Sequence, residues 1–307
     1  MIARKIFMVR PAHFGYNPET AQNNAFQHEP AGETGNLQGP ILREFDNFVE
    51  LLRSHSITVD VLGDDPLQKR FDAIFPNNWF STHPGHILVT YPMFSPIRRK
   101  ERDPAHIAHI LSGYHVNVHI SLEHFESEDF FLEGTGSLII DHEYGIAYGN
   151  RSARTHEIPF NQFCQLMRLT PVLFDAADEQ GIPVYHTNVV MGIGKGYVLI
   201  NKSAVAKDDW PRLAFYFRHT DKEIIEISHS QMTGFLGNTG YLHNVDDRPY
   251  IVMSETAFQT LENDQKQKLS RFGRIIYSDL STIERIGGGS AKCMIAENYL
   301  NTRIATP

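Results

Sequence analysis

The side chains able to do chemistry gather in a few short stretches. In Gly287-Gly-Gly-Ser-Ala-Lys-Cys293 a thiol follows three glycines. Such a run lets backbone approach a ligand closely, and with Lys292 beside it the thiol suits a nucleophile as well as a core position. Cys164 sits in FNQFCQLM among apolar neighbours at helical spacing and reads as core. Two cysteines make no disulfide framework and lack a zinc site's spacing. His186 closes the apolar stretch Ile182-Pro-Val-Tyr-His186; among 16 histidines it gains a catalytic role only in company with a nucleophile. Glu133, in Leu132-Glu-Gly-Thr-Gly-Ser137, is either a turn-capping acid or a buried carboxylate whose cost must be offset by a useful hydrogen bond.

Two neutral amides, Asn77 and Asn78, stand side by side where FPNNWFSTH turns, and Asn188 lies two residues after His186. Asn238, in GFLGNTG, holds the corresponding place in a fourth loop. Arginines cluster in PIRRKER, which includes Arg98, and in NRSART, which includes Arg154. Solvated charge explains either cluster, yet a forked guanidinium is also a natural clamp for a substrate carboxylate.

These residues need elements to bring them together, and the chain carries a faint fivefold repeat. A helical pattern leads into a β-branched strand, a loop with Gly, Asn or His, and a second apolar strand. The first strands begin near residues 57, 116, 182, 223 and 274, and the third helix is expected over FNQFCQLMRLTPVLFDAADEQG. The N-terminal strand KIFMVR is left over and fits as the piece that closes the last unit against the first. A closed ring of such units would point their loops at one cavity.

Composition bounds the partners. With 307 residues, 41% hydrophobic and 21% charged, the chain reads as one soluble α/β domain over 1–307 with a sizeable core. The net charge of −8 is interspersed, and no basic stripe answers to nucleic acid. No run approaches a membrane span and no signal peptide is apparent, so the expected location is the cytoplasm. The His-rich segment HIAHILSGYHVNVHISLEH lacks a carboxylate-ligand pattern and reads as helix and strand surface, so neither metal nor cofactor is called for. The expected partner is a small molecule; a homo-oligomer stays open.

Taken in order along the chain, FDAIFPNNWF, SPIRRKER, LEGTGS, NRSART, the stretch ending His186-Thr-Asn188, and GGGSAKCM resemble the guanidine-modifying superfamily of pentein α/β-propellers. That superfamily includes arginine deiminases, dimethylarginine dimethylaminohydrolases and amidinotransferases. The resemblance implies a five-bladed propeller with pseudo-fivefold ββαβ-type units around a central site. It makes Cys293 the nucleophile, His186 the general acid/base and Glu133 its acidic partner. It sets Arg98 and Arg154 on the substrate's α-carboxylate and Asp72 towards its α-amine.

The departures point to the substrate. Where the relatives grip a guanidinium with the acids of F-x-R-D or F-V-E-D, this chain has Phe75-Pro-Asn-Asn78, and where deiminases have H-x-D it has His186-Thr-Asn188. A guanidinium offers only donors and in a closed site needs carboxylates, whereas an amide both donates and accepts and so matches a neutral ureido group. The chain is therefore similar to the citrulline-ureidase, amidinotransferase-like branch, with citrulline hydrolysed to ornithine, carbon dioxide and ammonia. Alternatives are arginine or dimethylarginine hydrolysis, amidinotransfer, and a non-catalytic propeller that binds an amino acid.

Overall fold

The computed structural model describes residues 2–29 and 37–303. Fifteen short strands carry the architecture among these residues. In chain order they are β1 (Lys5–Arg10), β2 (Thr58–Gly63), β3 (Phe80–His83), β4 (Ile87–Thr90), β5 (Val118–Ser121), β6 (Leu138–Asp141), β7 (Ile146–Asn150) and β8 (Thr170–Phe174). There follow β9 (Met191–Gly194), β10 (Tyr197–Ile200), β11 (Glu223–Glu226), β12 (Gly240–His243), β13 (Pro249–Ser254), β14 (Arg274–Ser278) and β15 (Ala296–Asn298).

They form five three-stranded sheets with one plan: β3-β4-β5, β6-β7-β8, β9-β10-β11, β12-β13-β14 and β15-β1-β2. In each, the first strand runs antiparallel to the second and the second parallel to the third. An antiparallel pair closes through a tight turn, but a parallel pair needs a crossover, and helices supply it. Gln38–Ser54, Pro104–Gly113, Glu157–Met167, Trp210–His219 and Asn263–Ser270 lie between the second and third strands of their sheets. Gln38–Ser54 shows why such a segment coils: Ile41, Phe45, Phe48, Val49 and Leu52 recur at helical spacing and are buried. Asp103 caps the second of these helices by accepting from Ala105 N at 2.8 Å.

Five small sheets of one plan fit a pseudo-fivefold repeat, but the units fall half a step from those expected. ITVDVLG pairs with KIFMVR, not with HILVTY, because β2 is the third strand of the sheet that β15 and β1 begin. The N-terminal strand is thus the middle of a sheet that joins both halves of the chain. The expected third helix stops at Met167, where Arg168 turns left-handed at φ 55°, and TPVLF becomes β8. Pro171, lacking an N–H, suits that edge strand and would break a helix interior. IPVYH is not a strand; one isolated bridge between Ala177 and Pro183 is all that it makes.

Consecutive sheets are tied through their first strands or the turns before them. Thr82 Oγ1 donates to Glu297 O, Leu132 N to Pro92 O, Thr187 Oγ1 to Ser137 O, Asn238 Nδ2 to Asn188 O, and His243 N to Ala3 O. Among the described residues no helix is long and apolar enough to cross a membrane, and no cluster of three or more His, Cys, Asp or Glu could hold a metal ion.

Candidate active site

The turn leading into each first strand carries one of the singled-out groups. Asn77 and Asn78 lie in the 3-10 turn Pro76–Asn78 before β3. Glu133 stands at the N-cap position of the short helix Gly134–Ser137 before β6, and His186 at that of Thr187–Val190 before β9. Asn238 precedes β12, and Cys293 lies in the turn before β15, its N–H bonded to Ser290 O at 2.9 Å. The repeated plan therefore brings residues more than 200 positions apart into one place.

A narrow cavity is lined by Asn78, His186 and Cys293 together with Asp72, Arg98 and Arg154. Glycine makes this convergence sterically possible. A Cβ on Gly136 would lie 2.6 Å from Asn78 Nδ2 and 2.7 Å from the His186 ring, and one on Gly134, at φ 45°, would lie 2.1 Å from Asn77 O.

Glu133 and His186 form a directed pair. His186 Nε2 is 2.9 Å from Glu133 Oε2, while Oε1 accepts from Phe94 N at 3.0 Å. Burial pushes the Glu133 carboxyl up, but Arg154, His186 and Arg98 outweigh it and hold the group at about 2. Burial pushes His186 down to about 4 against the pull of Glu133. At neutral pH the carboxylate is ionised and the imidazole neutral, so Nε2 carries the hydrogen that it donates to Glu133. Nδ1, buried and without a partner, keeps its lone pair as the ring's free proton acceptor.

Cys293 is 3% exposed, and burial pushes its thiol up. Amide donors oppose this: Asn238 Nδ2 lies 3.2 Å and Asn188 Nδ2 3.4 Å from Sγ. Asn238 Oδ1 also accepts from Lys292 N at 2.9 Å and Cys293 N at 3.3 Å, so this residue clamps the Cys293 turn. The Lys292 ammonium does not serve the thiol. It pairs with Glu297 at 2.7 Å and lines a different cavity.

The remaining candidates divide. Arg98 is bonded bidentately to Glu101 at 2.8 and 2.9 Å and reaches Asn78 Oδ1 at 2.7 Å. Arg154 bonds Asn23 Oδ1 at 2.6 and 2.8 Å and Thr20 O at 2.8 Å, and its guanidinium lies 4.9 Å from the Tyr185 ring centroid. Both guanidiniums border the cavity with most of their donors taken. Asp72 accepts from Asn17 at 2.7 Å and lies 3.7 Å from Arg98; burial pushes its pKa up against that arginine. Asn77, Asn188 and Asn238 stand behind the cavity wall. Cys164 is core: it is 2% exposed, and burial pushes its thiol up to about 12.

Sequence reasoning missed the cavity's fourth side. Asn17, Thr20, Asn23 and Asn24, in NPETAQNNAFQ, reach Asp72, Arg154 and the Gly288 carbonyl. The density of amides was the available signal; no periodicity marked the segment. Tyr185, which donates to Gly288 O, and Glu101, three residues after Arg98, were missed for the same reason.

Comparison with known proteins accords with this architecture. The cyanobacterial arginine dihydrolase ArgZ, of the ornithine-ammonia cycle, has a substrate-bound N-terminal domain with 17% identity and a TM-score of 0.74, covering 95% of this chain and 97% of that domain. The present chain spans only 40% of full-length ArgZ. A dimethylarginine dimethylaminohydrolase adduct with S-methyl-L-thiocitrulline gives a TM-score of 0.65 at 14% identity, covering 97% of this chain and 100% of the other. AgrE bound to ornithine and NAD+ gives 0.75 at 17%, covering 98% of this chain and 40% of AgrE. No curated protein sequence matches. The family model described as N,N dimethylarginine dimethylhydrolase, eukaryotic, matches residues 10–300, so the chain belongs to that family within the pentein guanidine-modifying superfamily.

Proposed function

We propose that the chain is a closed five-bladed pentein whose thiol hydrolyses the ureido group of citrulline. The observation carrying this reading is the make-up of the cavity wall: its charge-bearing side chains are Arg98, Arg154 and Asp72, two guanidiniums against one carboxyl group whose pKa burial pushes up. The carboxylates behind that wall are engaged, Glu133 by Phe94 N, His186 and Arg154, and Glu101 by Arg98. A guanidinium entering there meets two guanidiniums and a single carboxyl group, Asp72, already bonded to Asn17 and facing Arg98, whereas a neutral ureido group carries no such penalty.

In this mechanism Cys293 Sγ attacks the ureido carbon as thiolate, its proton passing to His186 Nδ1. Nδ1 returns a proton to the departing nitrogen, which leaves as ammonia, and the ornithine nitrogen stays bound through a carbamoyl thioester. Water then adds, giving up a proton to Nδ1, and the thiol is restored by that proton as a carbamate departs and breaks down to carbon dioxide and ornithine. Glu133 holds the imidazole by accepting from Nε2. The Asn238 and Asn188 amides steady the thiolate.

A second reading, hydrolysis of arginine, is favoured by the structural likeness to ArgZ and by Asp72 at the cavity edge. Incubation of the pure protein with citrulline, arginine and dimethylarginine, following ammonia and ornithine, separates the two. Ornithine and one ammonia per citrulline are expected, with dimethylarginine inert. Arginine turned over while citrulline is inert would refute the proposal.

A further inference from the structure

A second cavity shares no lining residue with the first. It is lined by residues of the first strand of every sheet, β3, β6, β9, β12 and β15. The two lie back to back. Thr135 follows Glu133 by two residues, Thr239 follows Asn238, and Lys292 precedes Cys293, yet all three line the second cavity.

Its polar groups are unevenly satisfied. Glu297 has both oxygens occupied, by Lys292 Nζ and Tyr299 OH, each at 2.7 Å. Asp141 accepts from Glu143 N and Tyr144 N and faces Lys222 Nζ at 2.9 Å. The donors are left over. Tyr91 is buried and far from losing its proton, and its hydroxyl is 2.6 Å from Ser81 Oγ, the one partner within reach among the described residues. Tyr91 therefore donates, and Ser81 in turn donates to His83 Nε2 at 2.6 Å. With Nε2 accepting and the ring held neutral by burial, the hydrogen of His83 sits on Nδ1. That N–H is 1% exposed as part of its residue and has no partner, and the Thr135 hydroxyl beside the same space has none either. The Lys292 ammonium uses one bond of three, and at the rim Lys195 makes no ion pair among the described residues. A buried donor left unmade is costly. With Glu297 filled and Asp141 Oδ2 taken up only by its ion pair with Lys222, the unmade donors of His83, Thr135 and Lys292 call for an acceptor of negative charge.

We propose that this cavity binds the carboxylate of a small organic acid or amino acid, held by His83 Nδ1, Thr135 Oγ1 and Lys292 Nζ. Glu143, exposed at the rim and with no side-chain partner among the described residues, would complement an α-ammonium group and so distinguish the two sources.

The test is a histidine side-chain 1H–15N correlation spectrum of the full chain titrated with acetate, with ornithine and with methylammonium. The His83 signals are assigned by their loss in His83→Phe. Acetate or ornithine should move them saturably, and methylammonium should not. Tighter binding of ornithine than of acetate assigns the site to amino acids; equal binding assigns it to simple carboxylates. Removing one hydrogen bond to a charge in Thr135→Val or Lys292→Met should weaken binding about tenfold. These two variants carry the test if His83→Phe does not fold. No movement with both ligands above about 10 mM, equal response to methylammonium, or unchanged affinity in both variants would overturn the proposal and leave a water-filled cavity.

Discussion

Replacing Asn238 by aspartate tests how the thiol is made reactive. The wild-type amide donates to Cys293 Sγ across 3.2 Å and accepts from the Lys292 and Cys293 N–H groups. Asn238→Asp keeps an acceptor for those N–H groups but sets a negative charge where a thiolate must form. At 3.2 Å and an effective dielectric of about 20, two unit charges repel by about 5 kcal/mol. Sharing of the proton between the two groups relieves part of this, so about a thousandfold loss of thiolate at fixed pH is the expected scale. Iodoacetamide inactivation followed against pH reads this directly. Cys164, pushed up to about 12 by burial, stays silent in the same assay. Asn238→Ala separates charge from fold: it orphans Lys292 N and Asn188 O, and each unpaired buried group costs about 1–3 kcal/mol, so it should lower the melting temperature. If Asn238→Asp alkylates at the wild-type rate between about pH 7 and 9, the amide does not govern the thiolate and the argument fails.

Three other outcomes follow from the same geometry. The folded-state pKa values of Glu133 and His186, about 2 and about 4, lie below their ordinary 4.5 and 6.5. On acidification the unfolded chain takes up these protons first, so stability should fall as pH drops from about 6.5 towards 2, by about 3 kcal/mol per group. Glu133→Gln should flatten the lower part of a denaturant-midpoint profile against pH, and an unchanged profile would contradict the assignment. Gly136→Ala, whose methyl would displace both Asn78 Nδ2 and the His186 ring, should lower kcat by about 100-fold or more while leaving a cooperative melt. Asn78→Asp, on the cavity wall, should gain arginine affinity in the substrate panel, and adding Asn188→Asp, beside Cys293 Sγ, should lose citrulline turnover. Asn77 can accommodate the first change, because its own Nδ2 is buried without a partner and can be turned towards the new carboxylate.

The repeat, the role of KIFMVR in joining the first and last units, and the convergence of Asn78, His186 and Cys293 were legible in the sequence. Each lies on a long apolar run or beside a glycine turn. The phase of the units was not. β3, β6, β9 and β12 are four residues each, and the first three are apolar or small throughout or nearly so, giving no alternation to separate them from loops. A unit counted from helix to strand is equally periodic, and hydrogen-bond pairing alone decides between the two phases. The Asn17–Asn24 wall was hidden for a related reason: its side chains serve a cavity rather than a core, and cavity-facing amides leave no hydrophobic rhythm. The saturation of Arg98 and Arg154 depends on partners as distant as Asn23, 131 residues from Arg154, which spacing cannot announce.

The sheet that follows the Cys293 turn joins Lys5 to Asn298. In chain order β1 and β2 precede the four other sheets, but the strand that completes their own sheet follows Cys293 by only three residues and comes after all four. Cys293 therefore meets His186 and Glu133 only after the strands of the four other sheets have been made, so the geometry of the cavity depends on contacts across more than 100 residues rather than on any local segment.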